Sequence, residues 1–389
     1  MSHSNDTQKF QTGKVALIAL SHLVHDIYSS FLAPILPLLI DKLGFSYTLA
    51  GLLTVAQRSP SVLNPILGII ADKISVRYFL IGAPAITAIS MSLLGAAPSY
   101  PVLVILLLIM GLSAACYHVP APVMIKQISG DQIGKGMSFF MFAGELARMI
   151  GPLVIIGAVW LWGLEGTYCL IAPGLLASLL LYLNFKNIPV QRQASAARPA
   201  GLGQTLIKMR KTFIGLTGIL IFMGGLKGAM VVFLPVYLTE KGSSLALAGI
   251  SLSVLQAGGV VGALAAGTLS DRLGRKFVLL ATTLAAPVVT WIFLLNPAFL
   301  TAPILFILGF FLLSNGPVML AIIQESDTER PAYVNGVYMM INFLAGSGMT
   351  VLAGASNDWL GLDKTCWLAT FLFFGAILCL PLLPGKSRG

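Results

Sequence analysis

The sequence predicts an all-α integral membrane protein with twelve transmembrane helices in two pseudo-symmetric six-helix bundles. Three observations support this prediction: low charge, long apolar runs and a motif that occurs twice. Of the 389 residues, 57% are hydrophobic and 10% are charged, and the mean hydropathy is +0.90. Because soluble domains usually carry about a quarter charged residues, most of this chain must face an apolar medium.

Each of the twelve apolar runs is long enough to cross a bilayer, which takes about 20 helical residues. A lone spanning segment must satisfy its own backbone hydrogen bonds, so each run is predicted to be a helix. The short alternating segments of barrel strands do not occur. The predicted spans are 14–40, 47–71, 78–96, 100–126, 136–160, 166–186, 212–239, 245–270, 276–295, 301–324, 332–354 and 364–384.

A duplicated motif indicates two homologous halves. A glycine four residues before an aspartate, with a cation directly after it, occurs at Gly68–Asp72 and again at Gly267–Asp271. Leu36-Pro37 and Leu234-Pro235 repeat at nearly the same offset, about half the chain, which is far longer than a solenoid repeat. The predicted organisation is an N-terminal six-helix bundle, a cytoplasmic linker and a C-terminal six-helix bundle, at 1–186, 187–211 and 212–389.

The net charge of +10 reflects membrane topology. Most of the 24 Lys and Arg lie in the N-terminus, the even-to-odd loops and the C-terminus, whereas the opposite loops contain Lys42, Lys241 and Lys364. This positive-inside pattern predicts a multi-pass protein of the cell (inner) membrane with both termini cytoplasmic. It also argues against a nucleic-acid partner. The polar first ten residues and the long run after them do not match a cleavable signal peptide.

The loop motif, the twelve helices and the two halves resemble the major facilitator superfamily over the whole chain. The second motif copy matches fully, but Ser75-Val76 stands where the first would usually have Gly-Arg, and Arg77 is the nearest cation. The resemblance implies that Asp72 and Asp271 help to close the cytoplasmic side of the transporter. Each carboxylate would accept hydrogen bonds from the N–H groups at the N-terminus of a facing helix and would pair with a cation. The motif glycines would let that helix come close. The predicted gating residues are Gly68, Asp72, Arg77, Gly267, Asp271, Arg272 and Arg275.

Shorter motifs resemble the fosmidomycin-resistance branch of that superfamily. They are Ser21-His22-x3-Asp26 with Leu36-Pro37-Leu38-Leu39 in the first span, Tyr117-His118-x-Pro120 in the fourth, and Gly144-x6-Gly151-Pro152 in the fifth. The last also resembles an antiporter glycine-proline motif. Members of this branch export drugs or organic anions, driven by inward proton flow. The resemblance therefore implies proton-coupled efflux, but substrates diverge quickly within the branch, and fosmidomycin itself is not inferred.

Ionisable residues within the spans are candidate functional residues, because a charge at mid-bilayer costs a few kcal/mol or more. His22 and Asp26 are i,i+4 and share one face of the first helix, which suits a proton carrier near neutral pH or a structural pair. His25 is expected to point elsewhere and to be secondary. Glu145 and Arg148 are i,i+3. Either they simply neutralise each other, or Glu145 accepts a proton and releases Arg148 to the substrate.

Cations outnumber carboxylates in this belt, which favours an anionic substrate. Arg58 has no acidic neighbour in its own helix, so Asp26 or Glu145 partners it across helices, or it binds an anion. Helices 1, 4, 7 and 10 line the cavity in the superfamily, so Lys227 in the seventh span is the foremost predicted substrate contact. The predicted proton-coupling residues are His22, Asp26 and Glu145. The predicted substrate-binding residues are Arg58, Tyr117, His118, Arg148, Lys227 and Asn315.

The sequence thus predicts a monomeric, proton-coupled exporter of a small organic anion or amphiphilic drug that works by alternating access. Its expected partners are the substrate, protons and the lipid bilayer. No nucleophile-base set, P-loop or metal-ligand spacing is present, so an enzyme, a cofactor and a metal are not predicted. Two alternatives stay open: a proton or sodium symporter that imports a nutrient anion, and a non-transporting membrane sensor or scaffold. The two gating motifs argue against the second.

Overall fold

The computed structural model describes residues 10–64, 77–118, 120–130, 132–186, 202–295, 300–326 and 331–384. Within these ranges the chain is helical and contains no β-strand, so the all-α prediction is confirmed.

The described residues of the N-terminal part form eight α-helices. A short 3-10 turn, Ser59–Leu63, follows the third, and a second, Glu165–Leu170, precedes the eighth. The helices are α1 (Thr12–Ser29), α2 (Leu32–Leu43), α3 (Tyr47–Arg58), α4 (Arg77–Ser92), α5 (Tyr100–His118), α6 (Pro120–Ile128), α7 (Ile133–Trp162) and α8 (Ile171–Phe185).

The described residues between 202 and 384 also form eight α-helices. A π-helical turn, Gly228–Val232, follows the first of them, and a 3-10 segment, Phe374–Leu382, follows the last. The helices are α9 (Leu202–Lys227), α10 (Leu234–Glu240), α11 (Leu245–Leu273), α12 (Arg275–Leu295), α13 (Thr301–Leu313), α14 (Asn315–Gln324), α15 (Pro331–Leu360) and α16 (Leu362–Phe373).

Ten helical stretches among the described residues are long and apolar enough to cross a membrane. They coincide with ten of the twelve predicted spans. The predicted span 47–71 runs into residues outside the described ranges, and α4, with 16 residues, is shorter than the roughly 20 that a span needs. A multi-pass membrane protein is therefore supported, and the count of twelve stays a prediction.

Prolines explain why several predicted spans contain two helices. A proline lacks an N–H and its ring collides with the carbonyl four residues earlier, which interrupts a helix. Pro34, Pro235 and Pro317 each lie just after a break, at α1/α2, α9/α10 and α13/α14. In the fourth span, α5 ends at His118 and α6 begins at Pro120. Each of the first, fourth, seventh and tenth spans is thus interrupted beside a proline.

The chain forms two compact units. The first comprises Met1–Leu32 and Ser59–Ser195, and the second comprises Ala33–Arg58 and Ala196–Gly389. Residues 33–58, assigned by sequence to the N-terminal bundle, therefore group with the C-terminal residues. The predicted division at the linker 187–211 stays a prediction, and most of that linker lies outside the described residues.

An apolar core holds the first unit together. It is built from buried side chains of α1, α4, α5, α6, α7 and α8, including Ile18, Leu80, Tyr117, Phe140 and Phe185. Burying a large apolar side chain stabilises a water-soluble fold by about 1.5–3 kcal/mol, but in lipid the gain comes from close packing instead. Two members of this core, Tyr117 and Phe140, also contact the buried polar groups described below.

In the second unit, α3 lies along α15. A Cβ at Gly51 would lie 2.9 Å from Val351 Cα, and one at Gly354 would lie 2.3 Å from Tyr47 O, so only glycine permits this approach. The Asp358 carboxylate accepts hydrogen bonds from Tyr47 N at 2.7 Å and Thr48 N at 2.8 Å. A carboxylate on these first N–H groups stabilises the positive end of the helix dipole, and the contact fixes the position of Arg58 at the other end of α3.

Glycines also allow α11 and α13 to cross at backbone distance. A Cβ added at Gly258 would lie 1.9 Å from Phe306 O, and one at Gly309 would lie 1.9 Å from Leu255 O. Small residues at such crossings are the usual way for membrane helices to pack closely. The contact cannot accommodate a methyl group unless the helices separate.

We expect Gly258→Ala to lower the thermal unfolding temperature of the purified protein in detergent. The added methyl overpacks the α11–α13 crossing, at a cost of about 1–3 kcal/mol. Gly157→Ala is the matched control, because Gly157 lies inside α7 and no described residue lies within 4 Å of a Cβ there. Equal unfolding temperatures for the two variants would contradict the assigned crossing.

Candidate functional site

Three histidines surround Asp26 in the first unit. His22 Nε2 lies 3.2 Å from Asp26 Oδ2, while His25 Nδ1 and His118 Nε2 each lie 3.3 Å from Asp26 Oδ1. Every histidine among the described residues therefore contacts this one carboxylate. We call Asp26, His22, His25 and His118 the histidine–aspartate cluster.

The cluster is closed on one side and accessible on the other. His25 and His22 are buried, at 0% and 4% exposure, and Asp26 is 9% exposed. The His118 side chain, at the end of α5, is 41% exposed. His118 therefore provides the accessible edge of an otherwise buried ionisable group.

Helix α7 holds the His22 ring in place. Phe140 O lies 2.7 Å from His22 Nδ1, and the Phe140 ring stacks on the imidazole at a centroid distance of 3.9 Å. A Cβ at Gly144 would lie 2.6 Å from His22 Cε1, and one at Gly151 would lie 2.6 Å from Ser30 Cβ. The glycines of the Gly144-x6-Gly151 motif therefore let α7 pack directly against α1.

The expectation that His25 points away from Asp26 is wrong, whereas its expected secondary role stays a prediction. Although it lies off the His22–Asp26 helix face, its ring reaches back to the adjacent carboxylate at 3.3 Å. On its other edge, His25 Nε2 lies 3.3 Å from Thr87 Oγ1 of α4. Helical periodicity predicts contacts between residues three or four apart, so it did not predict the contact between the adjacent residues His25 and Asp26.

Tyr117 is a buried anchor. Its hydroxyl lies 2.6 Å from Ser21 Oγ and 3.2 Å from Ile18 O, and its ring centroid lies 4.5 Å from that of His25. At 0% exposure, the side chain supports α1 and the cluster. The geometry favours this role over the predicted contact with substrate.

Glu145 and Arg148 form an ion pair along α7, and their side chains are 31% and 49% exposed. This is the mutual neutralisation that their spacing allowed. The pair is far less buried than the histidine–aspartate cluster, so it is the lesser candidate for proton coupling.

In the second unit, Lys227 ends α9 and Arg58 ends α3, close enough for their positive charges to interact. Both lie beside α15. Arg58 Nη1 would be 3.8 Å from a Cβ at Gly346, and Gly228, next to Lys227, packs against Thr350. In the same turn of α15, Ser347 Oγ is buried with no hydrogen-bond partner among the described residues. Sequence reasoning missed Ser347, since a lone serine in an apolar run carries no distinguishing signal.

Asn315 begins α14 and is fully buried. Its Oδ1 accepts a hydrogen bond from Thr282 Oγ1 of α12, whereas Nδ2 has no partner within the described ranges. The geometry thus gives Asn315 a helix-to-helix hydrogen bond and leaves only Nδ2 for the predicted substrate contact.

Only some of the predicted gating residues lie within the part of the chain that the structure describes. Gly68 and Asp72 lie outside the described residues, and Arg77 begins α4 with its guanidinium 5.0 Å from the Tyr78 ring centroid. Arg275 Nη2 lies 2.6 Å from Asp271 Oδ1 and also pairs with Glu325. Arg272 lies one residue beyond Asp271, in the last turn of α11.

The expected close helix approach at Gly267 is not observed. No described residue lies within 4 Å of a Cβ at that position. The Asp271 carboxylate pairs instead with Arg275, four residues further along the chain at the start of α12.

Donor atoms of His22, Asp26 and His118 lie within 4.8 Å of one another, a spacing that a divalent cation could also bridge. We interpret the group as a proton site, because Asp and His side chains inside membrane spans are the usual members of proton relays. The contact of His22 Nδ1 with Phe140 O suits a proton site and a metal ligand equally. The experiments below include a chelator, so that an effect of metal ions is separated from one of protons.

Similarity to known proteins identifies the family of this chain. Residues 18–350 match the family model of the Major Facilitator Superfamily. The chain belongs to this superfamily. It is therefore a transporter that carries a small molecule across a membrane, and an enzyme is not indicated.

Relatives and solved structures agree with this membership. The chain is 24% identical over 366 residues to the fosmidomycin resistance protein of Escherichia coli (strain K12), covering 92% of this chain and 90% of the relative. It is 28% identical over 225 residues to an uncharacterised MFS-type transporter of Yersinia pseudotuberculosis (strain YPIII), and spans about half (56%) of that relative.

Among solved structures, a D-xylose–proton symporter aligns with a TM-score of 0.75 at 16% identity, covering 97% of this chain and 99% of that one. A bacterial homologue of the human lysosomal transporter Spinster, in an inward-facing and unoccupied conformation, aligns with a TM-score of 0.73 at 16% identity, covering 100% of both chains. At these identities the similarity shows the fold alone.

Proposed function

We propose that this superfamily member is a proton-coupled exporter, an antiporter that moves a small organic anion or amphiphilic drug out of the cell by alternating access. It would act as a monomer in the inner membrane with both termini cytoplasmic. The observation that carries the proposal is the buried Asp26 carboxylate, contacted by three histidines inside a membrane span. The relative whose name describes fosmidomycin resistance supports the export direction.

The histidine–aspartate cluster suits a group that loads and releases protons. An isolated carboxylate within a membrane costs several kcal/mol, and a proton shared with an imidazole removes that cost. Histidine changes charge near neutral pH, where a cell can use a proton gradient. Asp26 and His22 are the proposed core of the site, and His118 connects it to its accessible edge. Glu145 assists through Arg148, which becomes available to the substrate when Glu145 is protonated.

Lys227 and Arg58 suit an anionic substrate. Two like charges at close range repel each other, and in the described part of the second unit no carboxylate pairs with Lys227. An anion bound beside α15 would relieve that repulsion through charge-assisted hydrogen bonds. Within the first unit, His118 and Arg148 are proposed as substrate contacts and Tyr117 as a lesser one. Within the second unit, Asn315 is proposed as a lesser contact. Asp271 with Arg272 and Arg275, together with Gly267, Gly68, Asp72 and Arg77, are the proposed cytoplasmic gate.

The alternatives from sequence make different predictions in the same assay. A nutrient symporter would carry its substrate in the same direction as the protons and accumulate it on the side that the protons enter, whereas an antiporter would move substrate and protons in opposite directions. A sensor or scaffold would bind the ligand without flux. The direction of proton movement in a sealed vesicle therefore separates all three.

We expect Asp26→Asn to uncouple transport from the proton gradient. In proteoliposomes containing EDTA and using fosmidomycin as the first probe, the variant should lose uptake driven by a pH gradient. It should retain exchange of internal for external probe, because the fixed amide neither binds nor releases a proton. Asp41→Asn is the matched control, because Asp41 is exposed at the end of α2. Gradient-driven uptake that survives in Asp26→Asn removes this residue from the mechanism.

We expect Lys227→Met to weaken binding of an anionic probe by about 10–100-fold, the loss that follows from one charged hydrogen bond of about 1.5–3 kcal/mol. The kcat of transport should change less than KM. Without probe, the variant should unfold at an equal or higher temperature, since a repulsive pair is removed. Lys211→Met, an exposed position on the same helix, is the control. Unchanged affinity in Lys227→Met would contradict the anion site.

A further inference from the structure

A chain of hydrogen bonds fixes which nitrogen of His25 carries a proton. Ser113 Oγ donates to Ala83 O at 2.9 Å, and because a carbonyl only accepts, this uses the one Ser113 proton. Ser113 Oγ must then accept from Thr87 Oγ1, which lies 2.9 Å away. Thr87 has no second proton, so it can only accept from His25 Nε2 at 3.3 Å. His25 Nε2 is therefore protonated.

This assignment determines what His25 presents to Asp26. When the imidazole is neutral, the proton on Nε2 leaves a lone pair on Nδ1, which faces Asp26 Oδ1 at 3.3 Å. Two acceptors then face each other in a buried site. Neither His25 Nδ1 nor Asp26 Oδ1 has an aligned hydrogen-bond partner among the described residues. The contact becomes favourable only when one more proton lies between these two atoms.

The tautomer of His22 is fixed in the same way, but with the roles of the two ring nitrogens reversed. Phe140 O, 2.7 Å from Nδ1, can only accept, so His22 Nδ1 carries the proton and Nε2 presents its lone pair to Asp26 Oδ2 at 3.2 Å. His22 Nε2 likewise has no aligned partner in the described residues. Each histidine is thus anchored on its far edge and faces Asp26 with an acceptor.

We propose that His25 is a second proton-holding residue beside His22, and that Thr87 and Ser113 are positioning residues that fix its tautomer. The cluster then has two places for an added proton, between Asp26 Oδ2 and His22 Nε2 and between Asp26 Oδ1 and His25 Nδ1. This deepens the proposed proton coupling and rests on it. Each loading step forms one N–H or O–H bond with a proton delivered from water past the accessible His118, and release reverses it.

The groups around His25 leave no other titratable partner for Nδ1 in the described structure. From α1 it faces Asp26 and, beyond it, His22; from α5 it faces Tyr117 and His118, whose ring centroids lie 4.5 and 5.5 Å away. The Tyr117 hydroxyl is already committed to Ser21 and Ile18. Helix α4 contributes the uncharged Thr87. His118 Nε2 shares Asp26 Oδ1 at 3.3 Å, so it competes for the same proton.

The tautomers can be measured without knowing the substrate. With four histidines in the chain, ¹⁵N-histidine NMR of the protein in lipid nanodiscs with EDTA can resolve each ring, and His25→Gln assigns the His25 signals. We expect the Nε2–H form for His25 and the Nδ1–H form for His22 at high pH. A His25 ring protonated at Nδ1 in the wild-type protein would overturn the proposal.

Ser113→Ala tests the hydrogen-bond chain from Ser113 through Thr87 to His25 without changing His25 itself. It frees the Thr87 proton to donate to His25 Nε2, so the ring should invert to the Nδ1–H form and donate to Asp26. The cluster without its added proton then gains a hydrogen bond from His25 to the Asp26 carboxylate, which makes proton uptake less favourable. The pH at which half of the clusters are protonated, followed by the same NMR signals, should therefore fall by about one pH unit. Thr87→Val removes the acceptor and should act in the same direction, whereas Thr87→Ser should retain the wild-type midpoint.

Ser90→Ala is the matched control, because Ser90 is a buried serine one turn along α4 whose hydroxyl donates to Thr87 O and does not contact His25. It should keep the wild-type tautomer and midpoint. If Ser113→Ala and Thr87→Val keep the wild-type tautomer and midpoint, as Ser90→Ala should, Thr87 and Ser113 do not fix the His25 tautomer. This conclusion holds even when Asp26→Asn abolishes coupling. If Asp26→Asn retains coupling, the proposed function fails, whatever the tautomers are.

Discussion

The constraint on which the site depends is the cost of keeping the Asp26 carboxylate inside an apolar bundle. Several kcal/mol oppose a bare charge there, and three imidazoles, a backbone carbonyl and a pair of hydroxyls are arranged around it. Glycines at 144 and 151 of α7 allow the helix approach that places the Phe140 carbonyl on His22. Packing and polar chemistry are therefore coupled, since any substitution that separates α7 from α1 also releases a ring of the cluster.

Proline interruptions give the functional residues a common setting. Each of the four breaks lies near a polar candidate residue. Asp26 lies in the last turn of α1 before the break at Pro34, and His118 ends α5 before Pro120. Lys227 precedes the π-helical turn before Pro235, and Asn315 begins α14 before Pro317. Interrupted helices in membranes require partners for the freed backbone groups, and transporter sites are commonly built at such points. The sequence period alone would join each pair of helices into one span.

The two compact units contain polar centres of opposite character. The first has a carboxylate among histidines, which suits proton exchange, and the second has the cations Lys227 and Arg58 beside α15. Arg58 belongs to the second unit because α3 packs along α15, where Asp358 accepts from the first N–H groups of α3 and the glycines at 51 and 354 permit the contact. A proton-linked anion carrier needs both kinds of centre, and each is built from residues of its own unit.

Local sequence determined the helical membrane architecture, most of the span positions, the superfamily and the His22–Asp26 pair, because hydrophobic runs and an i,i+4 spacing act over a few turns of one helix. It did not determine the contacts of His25, Thr87 and Ser113, the hydrogen bonds that anchor Tyr117 and Asn315, or the grouping of residues 33–58 with the C-terminal helices. Those depend on contacts between helices distant in the chain and on the direction of individual hydrogen bonds. Only the packed tertiary structure brings these groups within 3 Å or so of one another, and at that range a carbonyl or a hydroxyl decides where a proton can reside.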